Sequence, residues 1–109
     1  MRAILVTAAG CVLASVAIGV QARTSDKNDR LACTWGSEIA AEAQQSKLSG
    51  ITLYAARKRL QARRFPKPWM RMTALGITEQ TYDSRSRLKP ADIRLTYQEQ
   101  CMQHANSRR

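Results

Sequence analysis

Side chains suited to catalysis are scarce in this sequence. One histidine, His104, occurs in 109 residues, and it falls in the last predicted helical turn, where it would be solvated. The chain has neither a Gly-x-Ser-x-Gly motif nor a glycine-rich phosphate loop. A metal site needs several ligands, which a single histidine does not supply. These absences predict a protein that is not an enzyme and that uses neither a metal nor a cofactor.

Two carboxylate pairs do not change this prediction. Glu38 with Glu42, and Glu79 with Asp83, are each spaced by one helical turn. That spacing is common on exposed helix faces, whereas a glycosidase needs two acids that converge on one substrate. We therefore interpret both pairs as surface residues.

Acidic residues are also absent before Asp26, and the N-terminus has the pattern of an export signal. Arg2 precedes a long apolar run that ends in VQA at residues 20–22, a motif of the kind that a signal peptidase recognises. The pattern predicts a cleaved signal peptide over residues 1–22 and a protein that is periplasmic or secreted. Two alternatives stay open: a retained transmembrane anchor, because the run is long enough to span a bilayer, and lipidation at Cys11.

Cleavage after residue 22 leaves 87 residues with a net charge of about +9, because Arg2 is removed. A chain of this length forms one small domain and often needs a covalent cross-link. Cys33 and Cys101 remain, and we expect them to form a disulfide in an oxidising compartment. That bond would add about 4 kcal/mol to the free energy of unfolding. Two free buried thiols are the alternative, and the spacing is not the Cys-x-x-Cys of redox enzymes.

Strand-like alternation of apolar and polar residues is absent, so we predict an all-α domain of four helices over residues 31–105. Polar tails are predicted on both sides of it, at residues 23–30 and 106–109. The disulfide would tie the first helix to the last. An orthogonal arrangement and an up-down bundle both remain open.

Proline and glycine divide the domain into its helices. Ser49-Gly50 ends the first helix after Leu48, Pro68 begins the third and Pro90 begins the fourth. Ser49 or Thr52 can cap the second helix, which is predicted to end near Phe65. The predicted apolar faces are, in chain order, Leu31, Trp35, Ile39 and Ala43; Leu53, Ala56 and Leu60; Trp69, Met72, Leu75 or Gly76, and Tyr82, with Ile77 to one side; and Ile93, Tyr97 and Cys101.

Four short motifs, LACTW, LSGIT, LKPADI and EQC, carry this layout across most of residues 31–101. In them the chain resembles small exported proteobacterial helical proteins of unknown function, which combine a signal peptide with a cysteine in the first and last helices. The resemblance implies a periplasmic or secreted helical domain and brings no catalytic residues. It also raises an immunity-type role, since some proteins of this general shape block toxins that arrive in the periplasm.

Acidic residues are missing once more between Ala43 and Thr78, where cations are dense. The candidate binding residues in this stretch are Arg57, Lys58, Arg59, Arg63, Arg64, Lys67, Trp69 and Arg71. Such a surface would speed the encounter with an acidic protein or an anionic envelope component. It would equally suit a solvated helix face that keeps the protein soluble. Nucleic acid is not the predicted partner, because the chain lacks a recognisable binding module and carries an export signal.

Two functions therefore remain open. The first is a non-enzymatic binding module, of inhibitor or immunity type, that docks on an acidic protein and keeps its partner at moderate salt. The second is a peripheral envelope protein that is held electrostatically to anionic lipid or lipopolysaccharide and is released as salt rises. Neither needs a transmembrane anchor after cleavage of the signal peptide.

Overall fold

The computed structural model describes residues 26–108, and these residues form four helices and no strand. The first helix, α1, covers residues 26–48 of the described chain. It is followed by α2 (Leu53–Ala62), α3 (Pro68–Asp83) and α4 (Pro90–Ser107). The prediction of an all-α domain is confirmed. The predicted signal peptide, residues 1–22, and Cys11 lie outside the described residues.

Local backbone chemistry fixes the turn between α1 and α2. Gly50 has a φ of 82°, a left-handed conformation that glycine adopts without steric cost. The Ile51 N–H donates to the Ser46 carbonyl at 3.0 Å, and the Gly50 N–H donates to the Lys47 carbonyl at 3.1 Å. These two bonds form a Schellman motif, which ends α1 where the sequence predicts. Thr52 then caps α2, because its hydroxyl oxygen accepts a backbone N–H of the first turn at 3.1 Å.

Prolines set the starts of the last two helices. Pro68 and Pro90 are the first residues of α3 and α4, as predicted. By contrast, α2 ends at Ala62, earlier than the predicted end near Phe65, because the backbone is already extended at Arg63, with a ψ of 143°. Pro66 further disfavours helical backbone at Phe65. The helices also extend into the two predicted tails. In α1, residues 26–30 are helical, and α4 continues to Ser107.

The directions of the first three helices follow from contacts along their lengths. Trp35 touches Trp69 at the start of α3, and Lys47 reaches the Thr81 carbonyl near the end of α3, so α1 and α3 run parallel. The tight turn at residues 49–52 folds α2 back along α1, so α2 runs opposite to both. These helices therefore alternate in direction, as in an up-down bundle.

The fourth helix is attached to α1 by a covalent bond. Cys33 and Cys101 form a disulfide with their Cα atoms 5.7 Å apart, which confirms the predicted link between the first and last helices. One turn further along α1, Gly36 faces Tyr97, so α1 and α4 are antiparallel. No Cα atom of α4 lies within 8 Å of a Cα atom of α2 or α3. Among the helices of residues 26–108, the fourth thus comes close to α1, at Cys33 and Gly36, and not to the backbones of α2 and α3.

A small apolar core lies between the first three helices. Its buried members are Ile39, Ala40, Leu60, Ala74 and Ile77. Half-buried side chains that pack against them are Trp35, Phe65, Leu75, Ile93 and Tyr97. The predicted stripes of α2 and α4 agree with this core, since they include Leu60, Ile93 and Tyr97.

Two predicted apolar faces are partly wrong. Leu31 on α1 is 64% exposed, because residues four apart drift by about 40° at each step around a helix and leave the face that Ala43 occupies. On α3, Trp69 and Met72 are 48% and 76% exposed. The buried residues of α3 are Ala74, Ile77 and Thr78. Alanine and threonine contribute little to a hydrophobic pattern, so the pattern of the sequence does not indicate the buried face of α3.

Candidate functional site

The predicted basic stretch lies on α2, on the loop after it and on the first turns of α3. Its cations do not all have the same environment. Arg57 Nη1 lies 2.7 Å from Glu79 Oε1 and so pairs α2 with α3. Both side chains are about half exposed, which makes this ion pair a weak contribution to stability.

Arg63 forms a two-point ion pair with Glu42 on α1. Its Nη1 donates to Glu42 Oε2 at 3.1 Å, and its Nη2 donates to Glu42 Oε1. Hydrogen bonding to Glu42 raises the pKa of Arg63, against a smaller lowering by burial. The paired N–H groups of a guanidinium match the two oxygens of a carboxylate, so this contact also fixes the direction of both side chains. Arg63 thus joins the end of α2 to the middle of α1.

Phe65 organises the loop between α2 and α3. The guanidinium carbons of Arg63 and Arg71 each lie 5.9 Å from the centre of its ring, within the range of a cation–π contact. Arg71 also donates from Nη2 to the Arg63 carbonyl at 3.1 Å. This bond satisfies a backbone oxygen just beyond the end of α2. Arg71 therefore holds the loop together as well as adding charge.

Besides Arg71, four of the predicted cations are exposed and form no ion pair with any residue from 26 to 108: Lys58, Arg59, Arg64 and Lys67. Lys58 lies 5.0 Å from the centre of the exposed Tyr54 ring. Burial raises the pKa of Tyr82, and the positive charge of Arg59 acts in the opposite direction. Of the other two cations, Arg64 precedes the loop prolines and Lys67 lies between Pro66 and Pro68, two residues before Trp69.

Trp69 is half exposed but held in place from below. Its ring meets Trp35 edge to face with the ring centres 5.6 Å apart, and Trp35 meets Phe65 in the same way at 6.3 Å. Beside Trp69, a cleft of about 550 Å³ opens between the start of α1 and the start of α3. Leu31, Lys67 and Trp69 line this cleft. An anchored aromatic ring, a partly apolar cleft that Asp29 also lines, and the exposed Lys67 therefore lie together at one end of the bundle.

Two polar side chains of α1, Lys47 and Gln44, stabilise the end of α3 and the loop that follows it. Lys47 Nζ donates to the carbonyls of Thr81, Ser84 and Ser86 at 2.9–3.1 Å, where the C-terminus of α3 favours a positive charge. Gln44 Nε2 donates to the carbonyls of Ser86 and Leu88. Sequence reasoning missed both roles, because the acceptors are about forty residues away in the chain.

No protein-family model, curated protein sequence or solved structure matches the chain. Residues 26–108 form a small all-α domain of four helices, the first and last of which share a disulfide. Between residues 26 and 108, no helix is both long and apolar enough to cross a membrane. No group of three or more potential metal ligands occurs in that part of the chain.

Proposed function

We propose that the protein is a non-enzymatic binding module, exported to the periplasm or beyond, that docks on an acidic protein partner. The docking surface, called here the Trp69 surface, consists of Arg64, Lys67, Trp69 and Met72. An inhibitor or immunity-type role fits such a module. The disulfide supports the export part of the proposal, because these bonds persist in oxidising compartments.

One observation carries the proposal: Trp69 is 48% exposed although Trp35 holds its ring from below. A tryptophan that is rigid before binding loses little conformational entropy when a partner covers it. Tryptophan and arginine are also the residues that most often dominate binding energy at protein interfaces. The exposed Met72, one turn along α3 from Trp69, adds adaptable apolar area.

The charges of the surface indicate the kind of partner. Arg64 and Lys67 are exposed and form no ion pair among residues 26–108, so both are free to meet carboxylates. Charges of this kind speed the encounter and select an acidic partner, whereas the buried apolar contact would retain it. Arg57 and Arg63 contribute less to recognition in this proposal, because Glu79 and Glu42 already neutralise them.

The test compares two double variants in a pull-down from an envelope extract, read by mass spectrometry. Lys67→Ala with Trp69→Ala removes a cation and an aromatic ring from the Trp69 surface. Tyr54→Ala with Lys58→Ala removes the same two chemical types from the outer face of α2, where Tyr54 and Lys58 are also exposed. We expect one acidic protein to stay bound to the wild type in about 1 M NaCl, where the Debye length is about 3 Å. Only the first variant should lose it.

The result that contradicts the proposal is equally specific. If every protein is released at high salt and only lipid or lipopolysaccharide binds at low salt, the cations form an electrostatic surface for the envelope. Binding should then weaken evenly as Arg57, Arg59, Arg63 and Arg64 are neutralised, and both double variants should behave alike. Equal retention of one acidic partner by both variants would also reject the Trp69 surface, although not the binding role.

A further inference from the structure

A groove of about 300 Å³ lies between α3 and α4, on a part of the molecule that the Trp69 surface does not include. It exists because α4 packs its backbone on α1 and leaves α3 and α4 apart. Ala40 and Gln44 of α1 lie between the two walls, with Gln80 on the α3 side and Thr96 and Gln100 on the α4 side. Its volume is at the lower end of the range for small-molecule sites, about 300–1,000 Å³.

The lining of the groove is unusual for so basic a chain. Eight of its twelve lining side chains end in an amide or a hydroxyl group, and none carries a charge. Charged residues make up 24% of the whole sequence. The phenol of Tyr97 is protonated at neutral pH, since burial raises its already high pKa further, and it can donate or accept a hydrogen bond. The remaining lining residues, such as Ile77 and Ile93, are apolar.

Gln44 gives a second and independent indication of a ligand. This side chain is fully buried, and its Nε2 already donates to two backbone carbonyls, at 3.1 and 2.8 Å. Because both partners are acceptors, the orientation of the amide is fixed. Its Oε1 is buried and has no hydrogen-bond donor among residues 26–108. An unsatisfied buried carbonyl is costly. Because Oε1 is not exposed to solvent, a donor in the groove would reach it only after neighbouring side chains shift, and it would then relieve this cost.

We propose that this groove binds an uncharged saccharide. Sugar hydroxyl groups both donate and accept, which matches a lining of amides and hydroxyls, and the C–H faces of a sugar ring match the apolar residues between them. An acetamido N–H or a hydroxyl of the sugar would supply the donor that Gln44 Oε1 needs. No lining residue is charged, and the Lys47 ammonium beside the groove is already engaged by the carbonyls of Thr81, Ser84 and Ser86, so a charged ligand finds no free opposite charge. This inference does not depend on the Trp69 surface.

The experiment follows backbone amide signals of the ¹⁵N-labelled, disulfide-bonded protein while the N-acetylglucosamine disaccharide is added. We expect saturable shifts confined to residues around the groove, such as Gln80, Thr96 and Gln100. These shifts should persist in about 1 M NaCl and in a Trp69→Ala variant, since no charge of the protein takes part. A disaccharide of glucuronic acid serves as the charged comparison and should bind more weakly.

A pair of matched variants tests the location. Thr96→Arg puts a long charged side chain into the groove, whereas Thr73→Arg makes the same change at an exposed position of α3 that does not line it. The first should weaken saccharide binding by about tenfold or more, and the second should leave it unchanged. The proposal is overturned if the neutral sugar causes no saturable shifts, if shifts occur elsewhere, if the two arginine variants behave alike, or if the charged sugar binds more tightly.

Discussion

The helices that pack on the two sides of α1 are attached to it by different means. On one side, α2 and α3 share buried apolar residues with α1, including Leu60, Ala74 and Ile77, and two ion pairs join the helices. On the other side, α4 has one fully buried residue, Ala105, with Ile93 and Tyr97 half buried. The disulfide between Cys33 and Cys101 lies on this second side. The covalent bond thus occurs where the apolar contact is thinnest.

The difference follows from domain size. A chain this short cannot bury all of its helices in one core, and a cross-link lowers the entropy of the unfolded chain instead. The bond also lets α4 stand away from α3, which leaves room for the neutral groove. A larger apolar stripe on α4 would close that space.

The largest effect should come from replacing both cysteines, Cys33→Ser with Cys101→Ser. The residues are 68 positions apart, so the free energy of unfolding should fall by about 4 kcal/mol. Because α4 has the smaller apolar contact, its amides should lose protection from hydrogen exchange first, while those of α2 and α3 keep more of theirs. Thermal unfolding followed by circular dichroism, together with amide exchange by NMR, measures both quantities.

Reduction of the wild-type protein is the control for this prediction, since it breaks the same bond without changing a residue. Reduction and the double substitution should cause the helices to lose protection from hydrogen exchange in the same order. An unchanged melting temperature, or simultaneous loss of protection in α2, α3 and α4, would show that the two sides of α1 are not distinct.

The helix ends could be predicted from the sequence because they depend on local chemistry. Gly50, Pro68 and Pro90 act through their own backbone conformations, and each lies where the sequence analysis expects it. The core face of α3 could not be predicted in the same way. Ala74 and Thr78 are buried because of what packs against them, and neither gives a strong apolar signal.

The candidate site shows the same limit. The density of cations could be read from the sequence, but their division into paired and free residues could not. It depends on Glu42 and Glu79, which reach Arg63 and Arg57 only after the helices fold together. The same holds for Lys47, whose position near the end of α1 gives no hint that it binds the end of α3.

A smaller effect is expected from Gly36→Ala, which tests the contact between α1 and α4. An added Cβ would lie 2.7–3.0 Å from the hydroxyl oxygen and two ring carbons of Tyr97, closer than such atoms approach. The ring is rigid and half buried, so the helices must shift, and we expect a loss of about 1–3 kcal/mol in the free energy of unfolding. Urea unfolding measures it.

Gly76→Ala is a matched control, because Gly76 is also helical and its added Cβ would meet nothing within 4 Å. That variant should gain about 0.5–1 kcal/mol from helix propensity and the entropy of the unfolded chain. Opposite signs for the two alanine variants are therefore expected. If Gly36→Ala also stabilises the protein, α4 does not pack tightly on α1 and the comparison between the two sides fails.

The smallest effect should come from the ion pairs on the α2–α3 side. Glu42→Gln removes the charge that Arg63 binds at two points, and we expect a loss of about 0.5–1 kcal/mol in the free energy of unfolding. Glu79→Gln removes a single-point contact with Arg57 of similar exposure and should cost less, about 0.2–0.5 kcal/mol. Urea unfolding at low salt and in about 1 M NaCl measures both, and high salt should reduce both losses.

The exchange pattern of these two variants completes the comparison. Since both pairs lie on the α2–α3 side, α4 should keep its protection relative to the other helices, the reverse of the pattern after loss of the disulfide. A preferential loss of α4 protection in Glu42→Gln would mean that Arg63 stabilises α1 as a whole. The two sides would then form one cooperative unit, and the disulfide would act on all four helices equally.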